Sequence, residues 1–160
     1  SFSYKGVDLS FNLQGVQGNK ILNLQRRYIA NMEGNVNSMS LALDRFQSTE
    51  NPGNGQVNRA NRKSTGNNSR TSTWHLENGS YLRMQNITLG YTLPKKVVKK
   101  AGLESLRIFF SGQNLFTITG YSGYNPEVSN YNSNGALTQG VDYGSYPLSK
   151  TYSFGLNVSF

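Results

Sequence analysis

Cysteine is absent from this chain. That excludes disulfides, thiol nucleophiles and cysteine-held metal. No run of eighteen apolar residues occurs, so no helix of the usual transmembrane kind is encoded. Charge is scarce, at 15% of residues against about 25% in an ordinary soluble domain. Histidine occurs once, as His75, in a polar stretch where nothing marks a nucleophile or partner. It reads as a loop residue. The eight acidic residues are spread singly, so the paired carboxylates of glycoside hydrolysis are missing. Glu127 and Asp142 lie in a Gly- and Tyr-rich stretch without the dense oxygen spacing of a calcium loop, and read as turn caps. No catalytic residue, metal or cofactor is expected. The net charge of +8 has one dense cluster, Lys95, Lys96, Lys99 and Lys100. No recognition helix, zinc spacing or RNA-binding signature accompanies it, so nucleic acid is not expected as a partner. The cluster reads as a solvated turn or as a contact for lipid phosphates.

What the chain does have is alternation. Phe2 and Tyr4 end a first strand, Lys5-Gly6 is a turn, and Val7, Leu9, Phe11 and Leu13 then alternate with polar residues. A third strand covers "YLRMQNITLGYTL", with Ile87, Leu89, Tyr91 and Leu93 on one face. Leu82 and Met84 have the opposite parity, which predicts a bulge near Gln85. A fourth covers "LRIFFSGQNLFTI", and a fifth has Tyr152, Phe154, Leu156, Val158 and Phe160 on one face. Between strands two and three, about 16–79, the sequence predicts a long irregular region with one short helix near Met39 to Phe46. Its stretch 51–73 is rich in asparagine. A second long loop covers about 119–148. The connections thus alternate, short at 5–6 and 94–105, long at the other two. An antiparallel transmembrane barrel sorts its loops by side in this way. A secreted β-sandwich, such as a carbohydrate-binding module, also hides one face of each strand, so alternation alone leaves both readings open.

The segments "GSYLRMQNITLGYTLP" (79–94), "LRIFFSGQNLFTITGYSGYNPEV" (106–128) and "GVDYGSYPLSKTYSFGLNVSF" (140–160) resemble the carboxyl-terminal end of SusC/RagA-type TonB-dependent outer-membrane transporters. Residues 2–21 are similar to the hairpin that precedes these segments in that family. SGQNLF, SGYNPE and GVDYGSYP are the most specific pieces.

The resemblance implies a closed all-β barrel of about 22 strands. This chain would supply about its last five. Residues 1–160 would be one barrel segment, with 16–79 and 119–148 extracellular and 5–6 and 94–105 periplasmic. The plug, the TonB box and the earlier strands would lie outside this sequence. The implied function is import of oligosaccharides or peptides across the bacterial outer membrane. A SusD-like lipoprotein would be the lid, the TonB complex would act through the missing amino-terminal region, and outer-membrane lipid would surround the wall. Tyr121, Tyr124, Tyr131, Tyr143 and Tyr146 are the candidate contacts with ligand or lid, because tyrosine stacks on sugars and peptides. Tyr81, Tyr91 and Tyr152, near strand ends, read as interfacial girdle residues. Tyr152, Phe154, Leu156, Val158 and Phe160 are expected to carry the barrel assembly signal.

Overall fold

The computed structural model describes residues 1–34, 37–62, 67–128 and 139–160. In chain order its strands are β1 (Phe2–Tyr4), β2 (Val7–Val16), β3 (Lys20–Asn23), β4 (Leu76–Asn78), β5 (Tyr81–Thr92), β6 (Ser105–Gln113), β7 (Thr117–Thr119), β8 (Val141–Asp142) and β9 (Thr151–Ser159). Two short helices, α1 (Leu24–Ile29) and α2 (Lys95–Val98), accompany them. The described residues form two units.

The first unit comprises Ser1–Gln17, Ser80–Gly120 and Pro147–Phe160. It is an antiparallel sheet in the order β1-β2-β5-β6-β9, with β7 beside β5. These are the five strands the alternation predicts. Lys5 and Gly6 both have positive φ, 47° and 85°, as a two-residue hairpin turn of type I′ requires. The fourth strand is not continuous. It breaks after Gln113, where Asn114 takes φ 51°, and resumes as β7. The break faces the predicted bulge. Asn12 pairs with Asn86 but Leu13 pairs with Met84, which leaves Gln85 as the extra residue. The Asn114 amide bonds the Gln85 carbonyl at 3.0 Å, so the two irregularities satisfy one another.

Register decides what each face carries. Leu9, Leu89, Phe110 and Phe154 lie side by side across four strands. Val7, Tyr91, Ile108 and Leu156 form the next row. Phe11, Ile87, Gly112 and Tyr152 form the row on the other side. Beyond the bulge Leu13 and Met84 stay on this face. One side of the sheet is therefore apolar, and it is exposed: Leu89, in the middle strand, keeps 49% of its surface and Phe154 70%. Tyr91 and Tyr152 belong to this face. Tyr81 does not, contrary to the girdle reading. The bulge turns it to the opposite face, where it is buried and accepts a hydrogen bond from Gln14.

The opposite face carries Asp8, Ser10, Asn12, Thr88, Arg107, Ser111, Gln113, Ser153 and Asn157, with Phe109 between Gly90 and Gly155. Arg107 reaches across β5 to Asp8, with Nη2 to Oδ2 at 2.6 Å and Nε to Oδ1 at 3.1 Å. The bridge runs over Gly90. A Cβ there would lie 2.4 Å from Arg107 Nη2 and 2.5 Å from Asp8 Oδ1. Gly90→Ala is therefore expected to push the pair apart. In the Gly90→Ala background Asp8→Asn should change the denaturant midpoint of the intact protein much less than it does alone, because the contact it removes is already lost. Full additivity of the two substitutions would show that the pair tolerates a Cβ beneath it.

The second unit comprises Gly18–Gly79 and Tyr121–Tyr146. The sequence predicts irregular loops here. The structure instead has a three-stranded sheet in the order β4-β3-β8, β3 antiparallel to β4 and parallel to β8. The short helix predicted near Met39 to Phe46 is present as one 3₁₀ stretch, Ser40–Asp44. The asparagines also have structural duties. Asn54 Oδ1 accepts the amides of Gln56 and Val57, and Asn68 Nδ2 donates to the carbonyls of Asn31 and Arg59. These are the local side-chain bonds that suit asparagine to turns.

Candidate ligand and partner surface

Both long connections leave the first unit's sheet from the same end. Val16 closes β2, Tyr81 opens β5 opposite it, and Thr119 at the end of β7 pairs with Tyr81. The two connections then fold together as the second unit. β3 begins it. Ile21 is buried, and Asn23 ends the strand while its Oδ1 caps α1 by accepting the Arg26 amide at 2.9 Å. β8 comes from the second connection and lies alongside, Leu22 opposite Val141 and Asn23 opposite Asp142.

Two carboxylates organise this unit, the buried Asp142 within the second connection and the half-buried Glu77 between the first and the second. Asp142, with none of its surface exposed, accepts the Tyr121 hydroxyl at 2.5 Å and the amides of Gly144 and Ser145 at 2.8 and 2.7 Å. Burial pushes its pKa up, but these donors more than offset it and hold the carboxyl below its ordinary value. Burial, and then the bond to Asp142, pushes the Tyr121 phenol up. Glu77 accepts the amide and hydroxyl of Ser122 at 2.9 and 2.8 Å and the Asn23 amide at 3.0 Å, with Arg26 at 3.5 Å. Burial raises its pKa and these donors bring the net value down. The turn-cap reading of Asp142 is met. In the "NPEV" turn the cap is Asn125, whose Oδ1 takes the Glu127 amide.

His75 is not the exposed loop residue that its polar neighbourhood predicts. Only 2% of its surface is exposed. Its Nδ1 accepts the Ser72 amide at 3.2 Å, which leaves the neutral ring's proton on Nε2. Trp74 meets the imidazole edge-on, and the Arg26 guanidinium lies 4.0 Å over the indole. Burial, helped by the charges of Arg26 and Arg27, lowers the His75 pKa from 6.5. The sign follows. Below 6.5 an opened segment takes up a proton before the folded one does. The stability is thus complete at higher pH and is lost on acidification. Amide exchange around 72–78, corrected for its intrinsic rate, is expected to accelerate between about pH 7 and 5, and His75→Gln should flatten that dependence. An unchanged slope in the variant would remove the histidine from the effect.

The candidate tyrosines now separate. Tyr121 keeps 6% of its surface, and its hydroxyl is taken by Asp142. Its ring and hydroxyl are taken up as framework inside the unit, unlike the exposed tyrosines of the same set. Gly123 leaves the room its ring needs, since a Cβ there would lie 2.4 Å from it. Tyr124, Tyr143 and Tyr146 are exposed, Tyr146 by 88%. Tyr131 lies outside the described residues. Tyr124 also borders a cleft of about 360 Å³ with Asn23, Arg26, Ile29, Met39 and Leu41. Sequence reasoning missed this cleft. Its walls come from α1, the 3₁₀ stretch and the second connection, with no common spacing in the chain. Among the described residues no group of three His, Asp or Glu side chains could hold a metal.

No family model matches the chain. Over 160 aligned residues, 98% of this chain, it is 34% identical to TonB-dependent receptor P3 of Formosa agariphila, of which it covers 15%. It is 34% identical over 91 residues to TonB-dependent receptor SusC of Bacteroides thetaiotaomicron, which is 56% of this chain and 8% of that protein. The solved structure of the RagAB peptide transporter superposes with a TM-score of 0.78 at 26% identity, covering 99% of this chain and 16% of that one. The chain thus spans 15–16% of the length of the curated relatives it matches over nearly all its own residues.

Proposed function

The chain belongs to the SusC/RagA-type TonB-dependent receptors, and we propose that it forms a carboxyl-terminal part of the β-barrel wall of an importer in the bacterial outer membrane. The observation that carries this reading is the apolar face of the first unit. Rows of Leu, Ile, Val, Phe and Tyr run across the strands and stay exposed, while the other face carries charged, hydroxyl and amide side chains with Phe109 among them. A barrel wall needs lipid on one side and a polar lumen on the other. A β-sandwich would bury that apolar face against a second sheet. The relatives are receptors and a transporter by name, which supports import and gives no support to an enzyme. β9 pairs with β6 along its whole length. Its row Tyr152, Phe154, Leu156, Val158 and Phe160 is the proposed assembly signal.

In this reading the turns at 5–6 and 94–105 face the periplasm and the connections 16–79 and 119–148 are extracellular. Tyr124, Tyr143 and Tyr146 then contact the substrate or a SusD-like lid. The TonB complex acts through parts of the protein outside this chain. Peptides are the favoured cargo, because the structural neighbour is a peptide transporter; oligosaccharides are the other candidate class. Replacing Tyr124, Tyr143 and Tyr146 by Ala in the full-length protein tests the surface. Each lost ring is expected to weaken binding by about 0.5–1.5 kcal/mol. Uptake per surface copy of a peptide mixture and of an oligosaccharide mixture should be measured beside surface abundance. Unchanged uptake of both at unchanged abundance would remove these tyrosines from the transport route.

A further inference from the structure

The connection between β5 and β6 is an ordered piece of backbone carrying four cations. Pro94 opens α2, and a 3₁₀ turn, Lys99–Ala101, continues it to Gly102 at φ 73°. The Leu93 amide bonds the Leu106 carbonyl at 2.9 Å, and the Leu103 amide bonds the Val98 carbonyl at 3.1 Å. Val98 is buried. Lys95, Lys96, Lys99 and Lys100 lie on the exposed side of this turn, away from the buried Val98. All four are exposed, and among the described residues none has a carboxylate within ion-pairing distance. Lys5, in the turn at the same end of the sheet, lies 5.2 Å over the Tyr4 ring. Five of the chain's eight lysines thus stand at this end.

Holding like charges on one fixed turn costs repulsion unless an anion faces them. What adjoins them identifies the anion. Leu93 continues the parity of Ile87, Leu89 and Tyr91, so the chain enters the lysine turn from the apolar face. That face ends here in Tyr4, Tyr91, Leu106 and Val158. Val97, between the lysines, keeps 53% of its surface. Apolar wall, then tyrosine, then lysine is the order in which a bilayer changes from acyl chain to headgroup. We propose that Lys95, Lys96, Lys99 and Lys100 bind the phosphates of anionic phospholipid in the periplasmic leaflet, with Val97 resting at the acyl boundary. This inference rests on the barrel-wall reading above.

The test uses the full-length protein in detergent, titrated with phosphatidylglycerol or phosphatidylcholine and read by native mass spectrometry. Replacing all four lysines by Gln is expected to lower phosphatidylglycerol occupancy about tenfold or more and to leave phosphatidylcholine unchanged. Replacement by Arg should retain binding. The pairs Lys95/Lys96 and Lys99/Lys100, changed separately to Gln, should each give part of the loss and cover the case in which the quadruple variant fails to assemble. Unchanged phosphatidylglycerol binding in assembled variants overturns the proposal. So does full competition by inorganic phosphate, which would mark a free-anion site. Loss of a co-purifying periplasmic protein without loss of lipid would assign the turn to a protein partner and overturn it equally. A quencher on lipid tails, read from a probe at Leu89 after reconstitution into lipid vesicles, separates the two readings. Absence of quenching sinks the barrel wall itself, whereas quenching with unaltered lipid binding sinks only the lysine site.

Discussion

Leu89→Arg is expected to cost about 2–4 kcal/mol of folding free energy in a bilayer. Leu89 stands in β5, with Leu9 on one side and Phe110 on the other, and Phe154 one strand further. Its row has apolar rows on both sides, which places it away from the sheet's ends. An arginine there has only apolar neighbours on its face, and its guanidinium must reach the headgroups or draw water into the hydrocarbon. In water the same substitution would be almost free, because Leu89 is already half-exposed in this chain. The two environments therefore give opposite expectations for one residue. Folding titrations of the full-length protein into lipid vesicles measure the difference, with Thr88→Arg, on the polar face, as the control. Equal and small costs at both positions would mean that lipid does not meet this face.

How much of this was legible in the chain depends on where each element finds its partner. The first unit's sheet is readable because apolar and polar residues alternate along whole strands. Leu9, Leu89, Phe110 and Leu156 share a face by parity alone. The bulge at Gln85 was visible for the same reason, as a break in parity between Met84 and Ile87. The same bulge reverses the face of Tyr81, which proximity to a strand end alone does not reveal. The second unit has no such period. Its strands are two to four residues long, and its buried set mixes Ile21 and Leu24 with Asn23, His75 and Asp142. A polar residue buried through specific bonds looks, in sequence, like a polar residue in a loop. Tyr121 and Tyr124 make the point directly. Each adjoins a Ser or Gly in one stretch, and only the bond from Tyr121 to Asp142, twenty-one residues away, tells framework from surface.

That bond gives the second large effect. Asp142→Ala removes one acceptor group from three donors, the Tyr121 hydroxyl and the amides of Gly144 and Ser145. The carboxylate is fully buried, so the tyrosine hydroxyl loses a charged acceptor inside the unit. A bond to a charged group contributes about 1.5–3 kcal/mol. The two amides belong to a turn that can open to water, which limits their share. A local destabilisation of about 2–4 kcal/mol is expected. It should be confined to the second unit, because Asp142 and all three donors lie within it. Asp142→Asn should cost less, since one carbonyl oxygen still accepts, but the charge that holds the tyrosine proton is gone. Tyr121→Phe removes the hydroxyl and leaves two of the three bonds, so it should also cost less than Asp142→Ala. Amide exchange in the full-length protein reads the result. Residues 121–125 and 139–146 should lose protection together in Asp142→Ala, while the strands carrying Leu89 and Leu156 keep theirs. If exchange at 121–125 is unaffected, Tyr121 is held by its packing against Gly123 and not by the carboxylate. If the sheet of the first unit loosens as well, the second unit is not the separate cooperative element that its internal bonding describes.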